Sequence, residues 1–419
     1  MRLKTILNKC CDFKGFVFEK SRFDGKTERI IVSISARKNS KPICSHCEKT
    51  APGYDRLPVR LFEFIPFWGF HILFEYALRR VKCPRCNAII VEKVPWSDGK
   101  NHLTHHYCKY LADWAKEISW KGVAARFRTS WSTVRRAVEQ IVSYGLKHRE
   151  IKDVTALGVD EVQWRKGHDY LTLVYQIDKN ERRLLWVGEK RTIKTMRGFF
   201  EHFKKLNADF CMQIKVICSD MWKPYLKVIS EELPHAINVL DRFHIMQKFG
   251  KAIDEVRAGE ARRLKEKGKD PVLAKSRWCF LKRKGNLTKK QGFKLSELLQ
   301  MNLRTVKAYL LKEQFHCFWE YTSPTWAGKF LDAWCKKTMY SKIEPMKKVA
   351  KMLRSHRELI LNYFRAKKQF NSGIVEGLNR KINLTVRKSF GFRSFKVIET
   401  ALYHQLGNLP EPQFTHEFW

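Results

Sequence analysis

Seven residues of this 419-residue chain combine a type and a spacing that could do chemistry: Cys44, Cys47, Cys83, Cys86, Asp160, Asp220 and Glu376. Cys44-Ser-His-Cys47 and Cys83-Pro-Arg-Cys86 are CxxC pairs, each able to wrap a tight turn around one side of a tetrahedral zinc ion. A site closed by four thiolates has no open coordination position, so zinc held there would be structural rather than catalytic. Asp160 falls inside the apolar segment TALGVDEV, and Asp220 closes the apolar run from Ile214 to Ser219. Two carboxylates buried side by side repel one another, and a divalent cation offsets that cost. Glu376 is the candidate third acid, in FNSGIVEGLNRKIN, where helical spacing puts it on one face with Asn379 or Arg380 and with Asn383. Acids at strand ends also cap helices or pair with arginine, and the residues alone leave that alternative open. Glu161 is the rival for a place, but strand alternation points it away from Asp160.

These residues need elements to position them. The segments TALGVDEV, YLTLVYQID and RLLWVGEK predict three strands, Thr192 to Leu206 a helix, Ile214 to Ser219 a fourth strand, Lys223 to Glu232 a helix, and AINVLD a fifth strand reaching Asp241. That is the order of an RNase H-like sheet. Upstream, Val123, Ala124 and Phe127 share one helical face, and after a short turn Trp131, Val134 and Val138 share another, a helix-turn-helix pattern. Ser130 or Ser132 can cap its second helix, where Ser132, Thr133, Arg135 and Arg136 are of the types that reach phosphates and base edges. The 35 residues between the CxxC pairs exceed the short-finger spacing of about 15 to 20. They alternate as strands do, with Leu61 to Leu78 as paired strands, and predict a zinc ribbon with long hairpin arms. VFEKSRF and ERIIVSIS predict short strands before it. Cys10, Cys11, Cys108, Cys211, Cys218, Cys279, Cys317 and Cys335 lack ligand spacing and are expected in the core or incidental, and His46 is a bystander.

Composition narrows the partner. Lys and Arg number 82 against 42 Asp and Glu, a formal charge of +40, while 44% hydrophobic and 13% aromatic residues exclude a disordered basic tail. A folded polyanion binder is implied, nucleic acid first. The stretch from Leu61 to Leu78 is broken by Glu63, Pro66, His71 and Glu75 and falls short of a membrane span; the start lacks the apolar run of a signal peptide. A cytoplasmic, nucleoid-associated protein is expected, with its cysteines reduced. From Lys251 to Lys294 there are 15 Lys and Arg against 5 Asp and Glu, interleaved with Trp278 and Phe280, a surface suited to a phosphate backbone.

The ordered set of CxxC pairs, helix-turn-helix, LGVDE, CSDMW, LDRFH, NSGIVEGLNRKIN and FGFRSF resembles the ISL3 family of bacterial insertion-sequence transposases, from about Cys44 to near Leu406. The resemblance implies a multidomain α/β protein with an RNase H-like core, a DDE triad carried onto Asp160, Asp220 and Glu376, and a mainly helical insertion before the glutamate helix. It implies Mg2+ or Mn2+ on that triad, beside the structural Zn2+ on the cysteines. The expected activity is cleavage and strand transfer at terminal inverted repeats of double-stranded DNA, then joining to target DNA, by at least a homodimer. Asp241-Arg-Phe-His244 resembles an Asp/Cys-x-x-His element of several DDE groups, which makes His244 a candidate for DNA contact or site positioning. Arg380, Arg387, Lys388 and Arg393 are further candidates for holding the transposon end. The expected division is 1–40 (short β-rich segment), 41–95 (zinc ribbon), 96–150 (helix-turn-helix), 151–245 (first part of the core), 246–360 (basic insertion) and 361–419 (core completion and tail). A domesticated DNA-binding regulator and a nuclease without joining activity are the alternatives.

Overall fold

The computed structural model describes residues 3–11, 13–98, 101–165, 167, 169–369, 373–389 and 391–412. Backbone contacts divide the chain into two compact units, Met1–Glu150 with Asn383–Trp419, and Ile151–Ile382.

In the first unit a short helix, α1 (Leu3–Cys10), precedes strands β1 (Phe16–Asp24), β2 (Arg29–Ala36), β3 (Gly53–Arg56), β4 (Arg60–Phe67), β5 (Phe70–Tyr76), β6 (Arg79–Cys83) and β7 (Ala88–Val91). They form two sheets, ordered β1-β2-β5-β4 and β3-β6-β7. The strands expected around VFEKSRF and ERIIVSIS are β1 and β2, and the paired strands expected from Leu61 to Leu78 are β4 and β5; α1 had no signal in the apolar pattern. The larger sheet buries Phe18, Phe62 and Phe74 on one face and leaves Arg22 and Glu75 to bond at 2.7 Å on the other. The buried carboxylate of Glu92 ties the sheets together, accepting from the Tyr76 hydroxyl at 2.7 Å and from the Arg79 backbone N–H at 2.7 Å.

Three helices follow, α2 (His105–Glu117), α3 (Trp120–Arg126) and α4 (Trp131–His148). Each starts on a side-chain cap: Thr104 accepts from the Tyr107 N–H, Ser119 from Gly122 and Ser130 from Thr133. Val123, Ala124, Val134 and Val138 are buried as their spacing predicts; Trp131, expected with them, is 53% exposed because it occupies the first turn of α4, ahead of the buried stripe.

The second unit is built on a five-stranded sheet of β8 (Ala156–Gln163), β9 (Tyr170–Ile177), β10 (Arg182–Glu189), β11 (Val216–Ser219) and β12 (Ile237–Leu240), ordered β10-β9-β8-β11-β12. β8, β9 and β10 pair antiparallel as a meander, whereas β11 and β12 run parallel to β8. Helices α5 (Ile193–Leu206), α6 (Phe210–Gln213) and α7 (Lys223–Glu232) supply the crossovers. Met196, Phe199, Phe200 and Phe203 form the buried stripe of α5, packing with Val159, Val174 and Ile217. After β12 comes a helical region of α8 (Arg242–Glu266), α9 (Arg277–Leu281), α10 (Lys289–Leu299), α11 (Arg304–His316), α12 (Pro324–Met339), α13 (Glu344–Ser355) and α14 (Arg357–Arg365), with Phe249, Phe315, Phe318 and Trp334 at its centre. The helix α15 (Gly373–Lys388) then carries the chain out of this unit, and α16 (Phe395–Leu406) belongs to the first. Among the described residues no helix is long and apolar enough to cross a membrane.

The segment after α16 is tied to α2. Glu411 lies 2.7 Å from Lys109 Nζ and 2.5 Å from Lys116 Nζ. Burial pushes its carboxyl up, but the two lysine hydrogen bonds outweigh that and bring the pKa down to about 2. Its contribution to stability is therefore fully present above the ordinary glutamate value and is lost as pH falls toward 2. Burial also holds His404 neutral, its pKa near 3. The unfolded chain takes up that proton below about 6.5, so His404 erodes stability in the same direction between pH 6.5 and 3. Glu411→Gln is expected to lower Tm by about 2–4 °C at pH 7, the shift that ~1 kcal/mol gives in a domain of 150–250 residues, and by less at pH 3. Calorimetry at the two values checks this, and an equal shift at both would remove the role given to the ionised carboxylate.

Candidate active site and metal centre

β8 is the central strand, buried from Ala156 to Val159, and Asp160 follows as a half-buried residue in its second half. β11 pairs with it in the register Cys218↔Gly158, which carries Asp220 to the position beside Asp160. Asp241 follows β12, its N–H bonded to the Ser219 carbonyl at 3.0 Å. Asp220 and Asp241 thus follow the carboxyl ends of β11 and β12, and Asp160 lies in β8 just past the part paired with β11, toward the edge where open α/β sheets bind ligands. Asp241 also caps α8, accepting from the Phe243 N–H at 2.6 Å. His244, one turn into that helix, faces both remaining acids, with Nδ1 3.8 Å from Asp220 and Nε2 3.5 Å from Asp241.

Asp160 is held on both oxygens: Oδ1 accepts the Glu161 N–H at 2.7 Å, and Oδ2 accepts Asn379 Nδ2 at 2.5 Å. Asn379 in turn accepts from the hydroxyl of Tyr175, a fully buried residue of β9, at 2.6 Å. Burial raises the Asp160 pKa, against the Glu161 N–H, the field of His244 and the Asn379 bond. Gly158 permits this approach of helix to strand, since a Cβ there would come 2.6 Å from Val375 of α15. Neither Asn379's bond nor the need for glycine is visible in sequence, because both depend on which strand α15 packs against; placing Asn379 on the face of Glu376 was the nearest signal.

Glu161, which strand alternation points away from Asp160, reaches the cluster through Arg191. Its carboxylate lies 2.5 Å from Arg191 Nε, and the same guanidinium is 3.8 Å from Asp220 and stacked 4.3 Å over Trp222. Burial lifts its pKa to about 7, Arg191 pulling it down and Asp160 and Asp220 pushing it up. Arg191 was missed in sequence because it lies just past β10 and reaches the site only through the sheet order. Glu376 is exposed in the first turn of α15 and bonded to Arg380 at 2.6 Å. Among the described residues, the three acids expected as a triad do not come within ligand distance of one another; Asp160 and Asp220 are neighbours, and Glu376 is represented there by Asn379, one turn along its helix. Phe370, Asn371 and Ser372 of that motif, and Phe390 of FGFRSF, lie outside the described residues.

Asn379→Ala is expected to slow cleavage about tenfold, from loss of a hydrogen bond to a charged group worth ~1.5 kcal/mol or more, with Asn379→Asp more damaging because it adds repulsion. A pH–rate profile displaced in the variant would mark positioning of Asp160; an unchanged profile with only a lower Tm would reduce Asn379 to a packing residue.

The first unit contains the cysteine cluster. All four sulfurs lie within 4.8 Å of one another, with Cys44–Cys86 at 3.9 Å and Cys47–Cys83 at 3.6 Å. Zinc–sulfur bonds of about 2.3 Å put the corners of a tetrahedron about 3.8 Å apart, so the geometry and the soft donor set fit zinc. Backbone N–H groups of Cys86 and Arg85, with the neighbouring thiols, lower the Cys83 pKa, while desolvation and the same neighbouring thiols raise that of Cys86, so the first proton leaves the cluster at Cys83. The remaining cysteines follow expectation, mostly buried, and Cys317 is exposed.

Of the residues expected at DNA, Ser132 and Thr133 place their hydroxyls 2.8 Å from the capping Ser130 Oγ. Arg135 lies over Trp131 and 3.7 Å from Glu139, while Arg136 is exposed at the rim of a 300 Å³ pocket. Arg380, Arg387 and Arg393 are exposed. Lys388 is half-buried and donates to the Lys116 carbonyl at 2.7 Å, which gives it a packing role within the first unit.

Residues 157–402 match the ISL3 transposase family, and the chain belongs to it. It is 28% identical over 393 residues to the transposase for insertion sequence element IS1001 of Bordetella parapertussis, covering 93% of this chain and 95% of that one. It is 26% identical over 431 residues to the transposase for insertion sequence element IS1557 of Mycobacterium tuberculosis, covering 95% and 94%. Among solved structures, a chain of the Drosophila P element transposase strand transfer complex aligns with 71% of this chain and 90% of its own, at 10% identity and a TM-score of 0.39, a likeness too loose to bear on function. The chain is a DNA transposase.

Proposed function

We propose that this transposase cleaves DNA at the terminal inverted repeats of its insertion sequence and transfers the freed 3'-ends to a target, using Asp160, Asp220 and Glu376. The observation that carries the reading is the placement of Asp160 in β8 and of Asp220 just past the end of β11, the parallel strand beside it, in a sheet of RNase H-like order, with α15 bonded to Asp160 through Asn379. The two aspartates, all-oxygen donors with one of them desolvated, fit a hard divalent cation, and Glu376 is the carboxylate of α15 nearest in sequence to the residue already in contact. Mg2+ or Mn2+ held there would activate water or a 3'-hydroxyl and stabilise the leaving oxygen. The protein's own part is orientation: Tyr175 and Asn379 fix the Asp160 carboxylate, Arg191 neutralises Glu161 and approaches Asp220, and His244 holds the opposite side. No covalent protein intermediate is needed.

The zinc ribbon and the helix-turn-helix would recognise the repeats, with Ser132, Thr133, Arg135 and Arg136 at the start of α4 toward phosphates and base edges. Arg380, Arg387, Lys388 and Arg393 would hold the cut end, with Lys388 acting through its anchorage rather than as a free cation. Two ends must meet, so the active complex is at least a homodimer, working on double-stranded DNA in the bacterial cytoplasm. The test is incubation of purified protein with Mg2+ and DNA carrying the element's flanked ends, followed by sequencing of products. Joined products are expected. Cleavage without joining would identify a nuclease, and tight binding with neither, Mn2+ also tried, a regulator.

A further inference from the structure

The helix α8 starts at the acidic site, where Asp241 caps it and His244 faces Asp220, and then runs away from the sheet. Along it lies an open cleft of about 660 Å³ that follows residues Arg242 to Ala258, about 24 Å at 1.5 Å per residue. Two large aromatic side chains in this cleft are about half exposed, Phe243 at 54% and Trp278 at 52%, the latter with the Arg277 guanidinium 5.3 Å from its ring centroid, whereas Phe280, on the same short helix as Trp278, is buried. Arg242, Lys251 and Arg283 line it with them. Two acids stand in its wall, Asp254, which Arg257 at 2.8 Å and Arg277 at 3.1 Å neutralise, and Glu255, against the cationic side chains of Arg242, Lys251, Arg277, Arg283 and Lys312. At the cleft's edge burial lowers the pKa of His316, Glu313 opposes that, and Lys312, Arg242 and Arg283 lower it further.

Exposed rings between cations select a particular occupant. In duplex DNA the bases stack on one another and offer no ring face to a protein; only an unpaired base can lie on tryptophan while its phosphates reach a cationic rim. A peptide partner would have to be strongly acidic to tolerate this rim, and nothing in the cleft distinguishes peptide backbone. We infer that the cleft along α8 is a binding site for unpaired nucleotides of single-stranded DNA, with Trp278 and Phe243 as stacking platforms and Arg242, Lys251 and Arg283 on the phosphates. Its position makes it the track for a strand separated at the acidic site. The inference rests on the proposed DNA chemistry for its biological role, but binding can be read without any cleavage.

The experiment uses the full chain without added divalent metal and measures anisotropy of a labelled 12-nucleotide oligo-dT and of a duplex of equal length at one salt concentration. Trp278→Ala is expected to weaken oligo-dT binding on the order of 5- to 150-fold, the value of one base stacked on an aromatic ring, with duplex binding unchanged. Trp278→Phe should restore most of it. Oligo-dT substituted with 5-iodouracil should photocrosslink to the peptide bearing Trp278 or Phe243. Equal weakening for duplex and single strand would overturn the inference in favour of a backbone contact, as would unchanged oligo-dT affinity or a crosslink confined to other segments. If Trp278→Ala alters thermal unfolding, Trp278→Phe and the crosslink decide. Absence of cleavage products with the element's ends would count against the proposed activity and leave this result standing.

Discussion

Asp220→Asn is expected to reduce strand cleavage and joining by roughly 10³-fold, the loss of about 4 kcal/mol of transition-state stabilisation, while the protein stays folded and still binds the element's ends. Asp160→Asn should match it in rate and differ in stability. Asp160 is a desolvated carboxylate whose pKa burial raises, and its neighbours include Asp241 and Glu161. An amide there removes a charge that the fold holds at a cost, and Tm should rise. The sign follows from linkage: a carboxyl whose folded pKa exceeds its unfolded value gains the fold stability as pH falls, and the amide mimics the protonated form at neutral pH. Mg2+ should raise the Tm of the native protein and have no such effect on Asp160→Asn, because only an intact site gains free energy from binding the ion. Cleavage at the native rate by either variant would exclude these aspartates from the chemistry; a Tm lowered in Asp160→Asn would contradict the account of its surroundings.

Removal of zinc should have the larger effect on structure. The three-stranded sheet of β3, β6 and β7 has almost no core of its own: Cys44, Ala51, Val81 and Cys83 are its buried residues, with Cys47, Cys86 and Ile90 packed against them. Apolar burial on that scale cannot hold three short strands. Structural zinc contributes about 10–16 kcal/mol in small fingers, so zinc bound by the four cysteines would supply what the side chains do not. Metal analysis of the purified chain should find about one zinc per chain. Cys83→Ser should lose it, and strong chelation should free β3, β6 and β7 to proteolysis with the sheet of β8–β12 still protected. Undiminished zinc in Cys83→Ser, or unchanged proteolysis after chelation, would sink the assignment.

What sequence made legible follows from how local each signal is. The strands of the second unit are continuous apolar runs because their sheet is covered on both faces, and α5 carries a full apolar stripe, so both appear within a residue or two of their positions. The CxxC turns are local by construction, and the sulfurs meet. Trp278 and Phe280 had equal standing as aromatics in a basic segment, and only packing buries one and exposes the other. Glu161, Arg191 and Asn379 gain their partners from strand order and from a helix more than two hundred residues downstream, which alternation along one strand cannot anticipate. Glu376 was legible as the acid of its motif, but its partner, Arg380, is a helical neighbour, and its convergence with the aspartates stays a matter for the proposed chemistry.

The order in which the parts leave the ribosome has a consequence of its own. Asp160 and Asp220 are translated long before α15, and at roughly 5–20 residues per second the interval from Asp160 to Glu376 lasts on the order of 10 to 40 s. Throughout it the sheet can form while its central strand lacks the helix that fits against Gly158 and restrains Asp160. The first unit waits as well, because α16 and Glu411 close onto helices translated near the beginning. A chain interrupted between residues 241 and 373 would therefore carry its cysteines, its helix-turn-helix, Asp160 and Asp220 without Asn379 or Glu376. Such a fragment would also lack α16 and Glu411, leaving both units incomplete, so premature termination is expected to yield an inactive chain rather than a weaker version of the enzyme.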